Sequence, residues 1–593
     1  MKTKSTKRIL TLVLALVLVF ALSVSAFADW VSFQNDSSNN GRITVTPPMN
    51  GATSTAVQLP TNDPYGVVYT GVDAASVIAG EYVYTLYNGG VTSGSLGGAR
   101  MQATELSTGY PTLWNLQLDS AASNSIQLST PYYDTDTNTV YAAVTYETLL
   151  QSYSSLSGWS TNGNVTINSN GLATFTGTGS VSTPFALNSS AQSLYLPTNL
   201  TPNWPTNPAA YTITLSDGNT TYTIANNSTS AYSGTGTYDQ YNGGAIPAGN
   251  YTLTITVTPT EYQTASLSTI SFSRYDWRLY AITDADQSYA QCSSSPIASG
   301  EGQINTPITM ASKTENNVEN KYLFFGAYLG DKAYYQYGPI NGTATLTKFI
   351  PSGNENFYWA GAAQDGEYVV FGSESGKIYI RPIGASFNSA SAGSVIDLAT
   401  YETNCGPIRS SICVVGSDWY LTSYGVNTSD YSYLWKITNG TGSNPTVNPL
   451  TLPDKSTSTP VVSNNNYIYL GFKHTDLYYT TGGVYAVSTN FPSSPMVHTI
   501  FSGRPVQASV IVHTVSMIDY IYFTTNHQLG AGYCYFWNTN APSSSAVRVW
   551  EKDGAGDTST YQNAALQGFA ASNSGSSSYL VYGDDGNHIY IIH

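Results

Sequence analysis

One short pattern recurs along the chain and restricts what it can become. A small or proline-containing strand is followed by a tight turn, then a tyrosine-rich strand ending in glycine, then a third strand. The clearest copy is Ser458-Thr459-Pro460-Val461-Val462, the turn Asn464-Asn465-Asn466, Tyr467 to Phe472 through Gly471, and Gly483-Val484-Tyr485-Ala486-Val487. A second copy begins at Ala362, turns at Asp365-Gly366, and runs Glu367 to Gly372 and Gly376 to Ile380. The last runs from Leu566 to Ala570, then Tyr579 to Gly583, then His588 to Ile591. Asp-Gly and Asn-rich turns supply the positive φ that tight hairpins need. Related units start near Val72, Gln127, Gln303, Pro407 and Val506, which makes eight. Units of roughly fifty residues with four strands read as propeller blades. A blade cannot bury both of its faces alone, so the blades must close a ring. The last unit stops after its third strand. Trp30-Val31-Ser32-Phe33 is the segment expected to supply the fourth and to remove the loose edge.

Several residues then resemble a known family. Trp30-Val31-Ser32-Phe33-Gln34-Asn35-Asp36 is similar to the W-x-x-F opening of quinoprotein-like (PQQ-repeat) β-propellers. Met101 to Gly109, followed by Leu113-Trp114, resembles their repeat of alanine, acidic residue, Thr-Gly and tryptophan. Thr459-Pro460-Val461-Val462 and Val484-Tyr485-Ala486-Val487 resemble its other two strands. The likeness implies an all-β, eight-bladed β-propeller whose repeat tryptophan locks neighbouring blades. It also raises quinone-dependent dehydrogenation. The family's cofactor lies between a tryptophan and a disulfide of adjacent cysteines, with calcium nearby. The four cysteines here, Cys292, Cys405, Cys413 and Cys534, include no adjacent pair. A related soluble sugar dehydrogenase would need a histidine base, for which His474 and His527 are the positions at hand.

The second unit is interrupted. Ile126 to Tyr133 and Val140 to Val144 form its first two strands, and Trp277 to Ile282 arrives over a hundred residues later. Between Leu149 and Ser273 the pattern changes to clean alternation, as in Tyr211-Thr212-Ile213-Thr214-Leu215 and Tyr251-Thr252-Leu253-Thr254-Ile255-Thr256-Val257. Alternating strands joined by Asn170-Gly171 and Asp217-Gly218 turns predict a β-sandwich inserted in the second blade. Gly158-Trp159 and Ile246-Pro247-Ala248-Gly249-Asn250-Tyr251 resemble jelly-roll modules of the carbohydrate-binding kind. The expected division is therefore 1–28 leader, 29–148 propeller, 149–273 sandwich and 274–593 propeller.

The leader is read from Lys2, Lys4, Lys7 and Arg8, the apolar run Ile9 to Leu22 and the A-x-A site Ala26-Phe27-Ala28. It predicts export, giving a secreted or cell-surface-associated chain. No second apolar run reaches spanning length, so no transmembrane segment is expected. Net charge is −15 and becomes about −19 once the four leader cations leave, which argues against nucleic acid as a partner. Charged residues make up only 10% of the chain, while tyrosines number 48. The polarity therefore rests on Ser, Thr, Asn and Tyr, which suit strands and a neutral, hydrogen-bonding exterior. Four cysteines are too few for a disulfide scaffold, and they leave three full pairings open.

No catalytic constellation emerges, and no residue pattern calls for a cofactor or metal. The six histidines, His474, His498, His513, His527, His588 and His593, are scattered. Asp134-Thr135-Asp136-Thr137-Asn138 opens like a calcium loop but lacks its glycine and bidentate glutamate, so it reads as a hairpin turn. The reading is a non-catalytic binding or scaffold protein whose partner is an extracellular polysaccharide or a surface protein. Trp159, Trp204, Tyr232, Tyr238 and Tyr241 are the candidate ligand-binding residues of the insert. The alternatives are surface self-assembly, a quinone-dependent dehydrogenase, or a polysaccharide-active enzyme using paired carboxylates.

Overall fold

The computed structural model describes residues 33–34, 36–43, 54–60, 70–89, 98–118, 125–191, 193–202, 210–227, 234–239, 245–259, 265–293, 295–353, 355–389, 391–426, 431–474, 481–491, 497–525, 533–539, 547–551, 568–574, 577–584 and 588–593. The regular secondary structure of the described residues is strand apart from one short 3-10 turn at Leu398–Thr400, in eight sheets that are antiparallel except where Arg42–Ile43 joins one of them. The chain is an all-β propeller. Asn138 and Asn466 take positive φ at hairpin turns, and Asp365-Gly366 does so through Gly366.

The glycine at or near the end of the tyrosine-rich strand has a packing reason at Gly326, Gly372, Gly471 and Gly583. The inner segment of the next sheet crosses directly over it. A methyl group at Gly326 would lie 2.7 Å from the Phe357 Cβ, and one at Gly471 would overlap Val506. Gly583, in the last sheet, is crossed by Val72 of the first, and Val72 N donates to the Asp584 carbonyl at 2.9 Å. The ring thus closes between its eighth and first sheets.

Tyrosines serve as strand formers with a polar end that reaches a neighbour. Tyr469 Oη donates to Asp519 of the next sheet at 2.9 Å, and Tyr590 Oη donates to Asp584 at 2.7 Å. Tryptophans act in the same way: Trp114 Nε1 donates to the Ala285 carbonyl at 2.8 Å, and Trp419 Nε1 to Asp365 at 3.1 Å. Each of these two bonds spans adjacent sheets.

The N-terminal part of the chain does close the last sheet, but with a different segment from the one expected. Ser54–Gln58, not Trp30-Val31-Ser32-Phe33, pairs with His588–Ile592 as the fourth strand. The alternation of Ser54-Thr55-Ala56-Val57-Gln58 suits a strand exposed on one face. Of the predicted strand, only Phe33 lies among the described residues, and it is buried in a turn. Residues 36–43 run along the inner strands of four sheets. Gln364 N and Val414 N donate to the Ser37 and Ser38 carbonyls, and Asn39 Nδ2 donates to the carbonyls of Ala362 and Ile412. Gly41 lies over Val461, and Arg42–Ile43 adds a parallel strand against Val512 and His513. The segment therefore fills part of the propeller axis.

In the second sheet, Thr139–Tyr153 and Ala265–Thr283 run on as a paired ribbon beyond the propeller core. Their register breaks between Leu149 and Gln151, opposite Ser273 and Phe272. Past that break the chain forms two layers. One layer contains Ser160–Ile167, Ala173–Leu187, Gly249–Thr258, Ala210–Ser216 and Thr221–Asn227, and the other contains Ser193–Pro202, Gly234–Asp239 and the ribbon strand. Phe175, Phe185, Leu215, Tyr251, Leu253, Ile255 and Phe272 fill the space between the layers.

Candidate functional site

Two regions concentrate chemistry: the axis of the propeller and the outer face of the sandwich. At the axis, the inner strand of several sheets is interrupted by a segment rich in hydroxyls. In the fifth sheet, Cys405–Ile408 and Cys413–Val415 flank Arg409 to Ile412. Successive segments are hooked together. Gly361 N donates to Ser411 Oγ at 2.8 Å, Ser411 N to Thr459 Oγ1 at 3.1 Å, and Thr459 N to Ser509 Oγ at 3.0 Å. The repeat starts near Gln303, Ala362, Pro407, Ser458 and Val506 in the sequence correspond to these segments. Phe33, Trp359, Arg409, Thr457, Thr459, Gln507 and Ser509 enclose about 20 Å³, room for about one ordered water.

That space tests the quinone reading. A tricyclic quinone is far larger than this space, which Phe33 helps to line. The thiols are also dispersed: Cys405, Cys413 and Cys534 are buried in separate strands, Cys292 is half-buried, and all four are free. Burial pushes the Cys405 thiol up to about 11 and Cys413 to about 12, opposite to a reactive thiolate. His474 contacts Asp454 through Nδ1, and His527 lies outside the described residues. The residues at this axial end do not fit the cofactor, and no step is derived through it.

The acidic turn is structural. Asp134 is buried and accepts from Lys321 Nζ of the neighbouring sheet at 2.6 Å; Asp136 accepts from the same amine at 2.6 Å. Thr137 Oγ1 also donates to Asp134. The Lys321 ammonium thus occupies the position that a cation reading would give to a metal.

The sandwich presents a different surface. Alternation sends Tyr211, Ile213, Leu215, Leu253, Ile255 and Val257 inward and their neighbours outward. The outward residues fall into register across five strands. Ser160, Ser182, Thr254, Thr214 and Thr223 form one row of directly opposed positions. Asn162, Ser180, Thr256, Thr212 and Asn226 form the next, and Thr252, Ser216 and Thr221 continue the pattern beside Pro184. All are half-buried or exposed. Strand geometry spaces the members of a row by about 4.8 Å and the rows by roughly 6.7 Å. Side-chain bonds order part of the grid: Thr221 Oγ1 donates to Ser216 Oγ at 3.2 Å and Thr212 Oγ1 to Asn226 Oδ1 at 3.4 Å. Every outward position in these rows is a hydroxyl, an amide or Pro184, with no ionic side chain.

The aromatic residues expected to bind ligand fare differently. Trp159 is a core residue, only 8% exposed, and meets Tyr153 edge-on at 5.0 Å. It packs under the sheet and cannot act as a surface stacking platform. Tyr238 lies in the strand Gly234–Asp239, opposite Leu194. Trp204, Tyr232 and Tyr241 lie outside the described residues. The threonine grid was the signal available instead: every second residue of Tyr251 to Thr258 is threonine, and so are two of the outward residues of Ala210–Ser216.

No family model matches the chain, and no curated protein matches it. Among solved structures it is similar to a europium-containing methanol dehydrogenase at 9% identity and TM-score 0.32, covering 84% of this chain and 90% of that one. A quinohemoprotein alcohol dehydrogenase from Comamonas testosteroni gives 10% identity and TM-score 0.32 over 88% and 79%. A chain of a mitotic checkpoint complex gives 12% and 0.32 over 53% and 81%. These likenesses concern the fold alone. Among the described residues, no helix is long and apolar enough to cross a membrane.

Proposed function

We propose that this is a secreted, non-catalytic binding protein in which the propeller is a rigid platform and the inserted sandwich recognises a neutral extracellular polysaccharide. The carrying observation is the in-register grid of Ser, Thr and Asn side chains on one sandwich sheet. A hydroxyl grid offers donors and acceptors at every position, as a polyhydroxylated chain does. It holds no fixed charge whose desolvation would oppose a neutral ligand. Each bond contributes only about 0.5–1.5 kcal/mol, so affinity arises from many weak contacts along an extended ligand. The paired ribbon from the second sheet holds the module on two continuous strands rather than on a flexible linker.

The test is pull-down of the mature chain on a panel of insoluble neutral polysaccharides, beside a form in which residues 149–273 are replaced by a short glycine-containing turn. Binding lost with the insert supports the reading. Equal binding by both forms, or by neither, refutes it. Concentration-dependent light scattering from the intact chain in place of binding would favour self-assembly through the same face.

A further inference from the structure

Of the three outward rows on the sandwich sheet, the middle one differs from its neighbours. Ser160, Ser182, Thr254, Thr214 and Thr223 stand directly opposite one another across five strands. The inner three members are half-buried and the two end members exposed. Among the described residues, none of these five hydroxyls takes part in a side-chain hydrogen bond, whereas the flanking rows are tied. On one side Thr212 Oγ1 donates to Asn226 Oδ1 at 3.4 Å. On the other, Ser216 Oγ accepts from Thr221 Oγ1 and from Gly218 N, both at 3.2 Å. The middle row therefore keeps its full donor and acceptor capacity. The β-branch of its threonines restricts χ1, so holding them in place for a ligand costs little rotamer freedom.

The spacing selects a direction. Strands lie about 4.8 Å apart and outward residues of one strand about 6.7 Å apart, so the row runs for roughly 19 Å. A pyranose ring in an extended chain advances by close to the strand spacing and falls out of step with the wider spacing along a strand. A sugar chain lying across the strands thus meets one row hydroxyl per ring. Sheet twist turns each strand by roughly 20–25° from the last, which skews the flanking rows and keeps one line, not a plane, in register. In a β-linked chain each ring is turned over relative to the one before it, so its hydroxymethyl group points alternately to the two sides. Rows of hydroxyls and amides flank the line on both sides. An α-linked chain coils away from a straight line within a few rings.

We propose that the middle row binds one extended, unbranched, β-linked neutral glycan across the strands, one sugar to each of the five. The inference rests on the sandwich recognising a neutral polysaccharide, and it adds the ligand's linkage, direction and length. The row hydroxyls bond the ring hydroxyls, and the methyl groups of Thr214, Thr254 and Thr223 meet the ring C–H groups.

Calorimetric titration of the full mature chain with cellulose-derived oligomers, dimer to octamer, and with starch-derived oligomers of equal length, tests this. Affinity for the cellulose series is expected to rise roughly two- to tenfold per sugar as far as the pentamer and then level off. The starch-derived pentamer is expected to bind at least about tenfold more weakly than its cellulose counterpart. Two double variants fix the direction. Thr214→Val/Thr254→Val removes adjacent hydroxyls of the row, and Thr254→Val/Thr256→Val removes adjacent outward hydroxyls of one strand. Valine keeps the β-branch, so both variants should hold the thermal midpoint. The row pair is expected to lose at least about tenfold in pentamer affinity, and the strand pair less. Affinity that keeps rising past the pentamer, equal binding of the two series, or an equal or greater loss in the strand pair overturns the proposal. Absence of heat with either series also overturns it. Insert-dependent pull-down of an insoluble neutral polysaccharide would in each of these cases still uphold the sandwich as the recognition module, so the two failures are separable.

Discussion

Asp519 joins the sixth and seventh sheets through two of its three side-chain donors, and its replacement gives a quantitative test of how the ring is held. The carboxylate is fully buried and accepts from Tyr469 Oη at 2.9 Å, Asn465 Nδ2 at 2.9 Å and Thr514 Oγ1 at 2.7 Å. Tyr469 is also buried, so Asp519→Ala leaves its hydroxyl without a partner in the interior. An orphaned buried donor costs about 1–3 kcal/mol, and a bond to a charged group contributes about 1.5–3 kcal/mol. Asn465 and Thr514 are nearer solvent, and water recovers part of their loss. Together these place Asp519→Ala at about 3–5 kcal/mol, among the larger single-site effects. Tyr469→Phe removes one donor and adds no cavity, for about 1.5–3 kcal/mol. The double variant should cost little more than Asp519→Ala alone, a coupling of about 1.5–3 kcal/mol. Urea midpoints at pH 7, followed by tryptophan fluorescence, measure all four corners of the cycle. Additivity within about 0.5 kcal/mol would refute the claim that this bond ties neighbouring sheets.

Other expectations follow from the same geometry. Gly583→Val should loosen the joint between last and first sheets by about 1–3 kcal/mol, because Val72 occupies the space a side chain would need; an unchanged unfolding midpoint would count against ring closure there. Trp159→Ala should destabilise the sandwich by about 3–5 kcal/mol as a core truncation, and retained stability with lost binding would restore the surface-platform reading. Iodoacetamide at pH 8 should label Cys292 first and reach Cys405, Cys413 and Cys534 only on unfolding, because burial raises those thiols; rapid native labelling of all four would contradict their burial. For Lys473 the folded amine titrates near 8, below its ordinary 10.5. Between those values the unfolded chain binds more protons, so stability gains as pH rises from about 8 to 10.5. Lys473→Met should stabilise the chain below pH 8 and lose that advantage by about 10.5, and thermal midpoints across that range check the sign.

The architecture was legible because its signals are local and repeated. Asp365-Gly366, Asn464-Asn465-Asn466 and glycines such as Gly471 and Gly583 are dictated by turn geometry and by the sheet that crosses next. The closing strand was misplaced because Trp30 to Phe33 and Ser54 to Gln58 both offer a short strand pattern. Only the three-dimensional ring decides which reaches His588–Ile592. The packing at the propeller axis was not legible at all. Trp359, Arg409, Thr459 and Ser509 are spread over more than a hundred residues and meet only because inner segments of successive sheets converge. On the sandwich, sequence reasoning favoured aromatics as sugar platforms. The alternating threonines of Tyr251 to Thr258 were visible as a strand, but their register with Ser180, Ser182, Thr212 and Thr214 depends on pairing that no single strand reveals.

The hydroxyl grid is the central claim, and a depletion isotherm on an insoluble neutral polysaccharide tests it most directly. The full mature chain would be compared with a Thr214→Lys/Thr254→Lys variant, whose two substitutions sit side by side at the middle of the grid and leave the sandwich core untouched. The account predicts saturable binding by the unaltered chain, little changed by salt, and at least a tenfold loss in the variant at an unchanged thermal midpoint. Equal isotherms for the two proteins would contradict it.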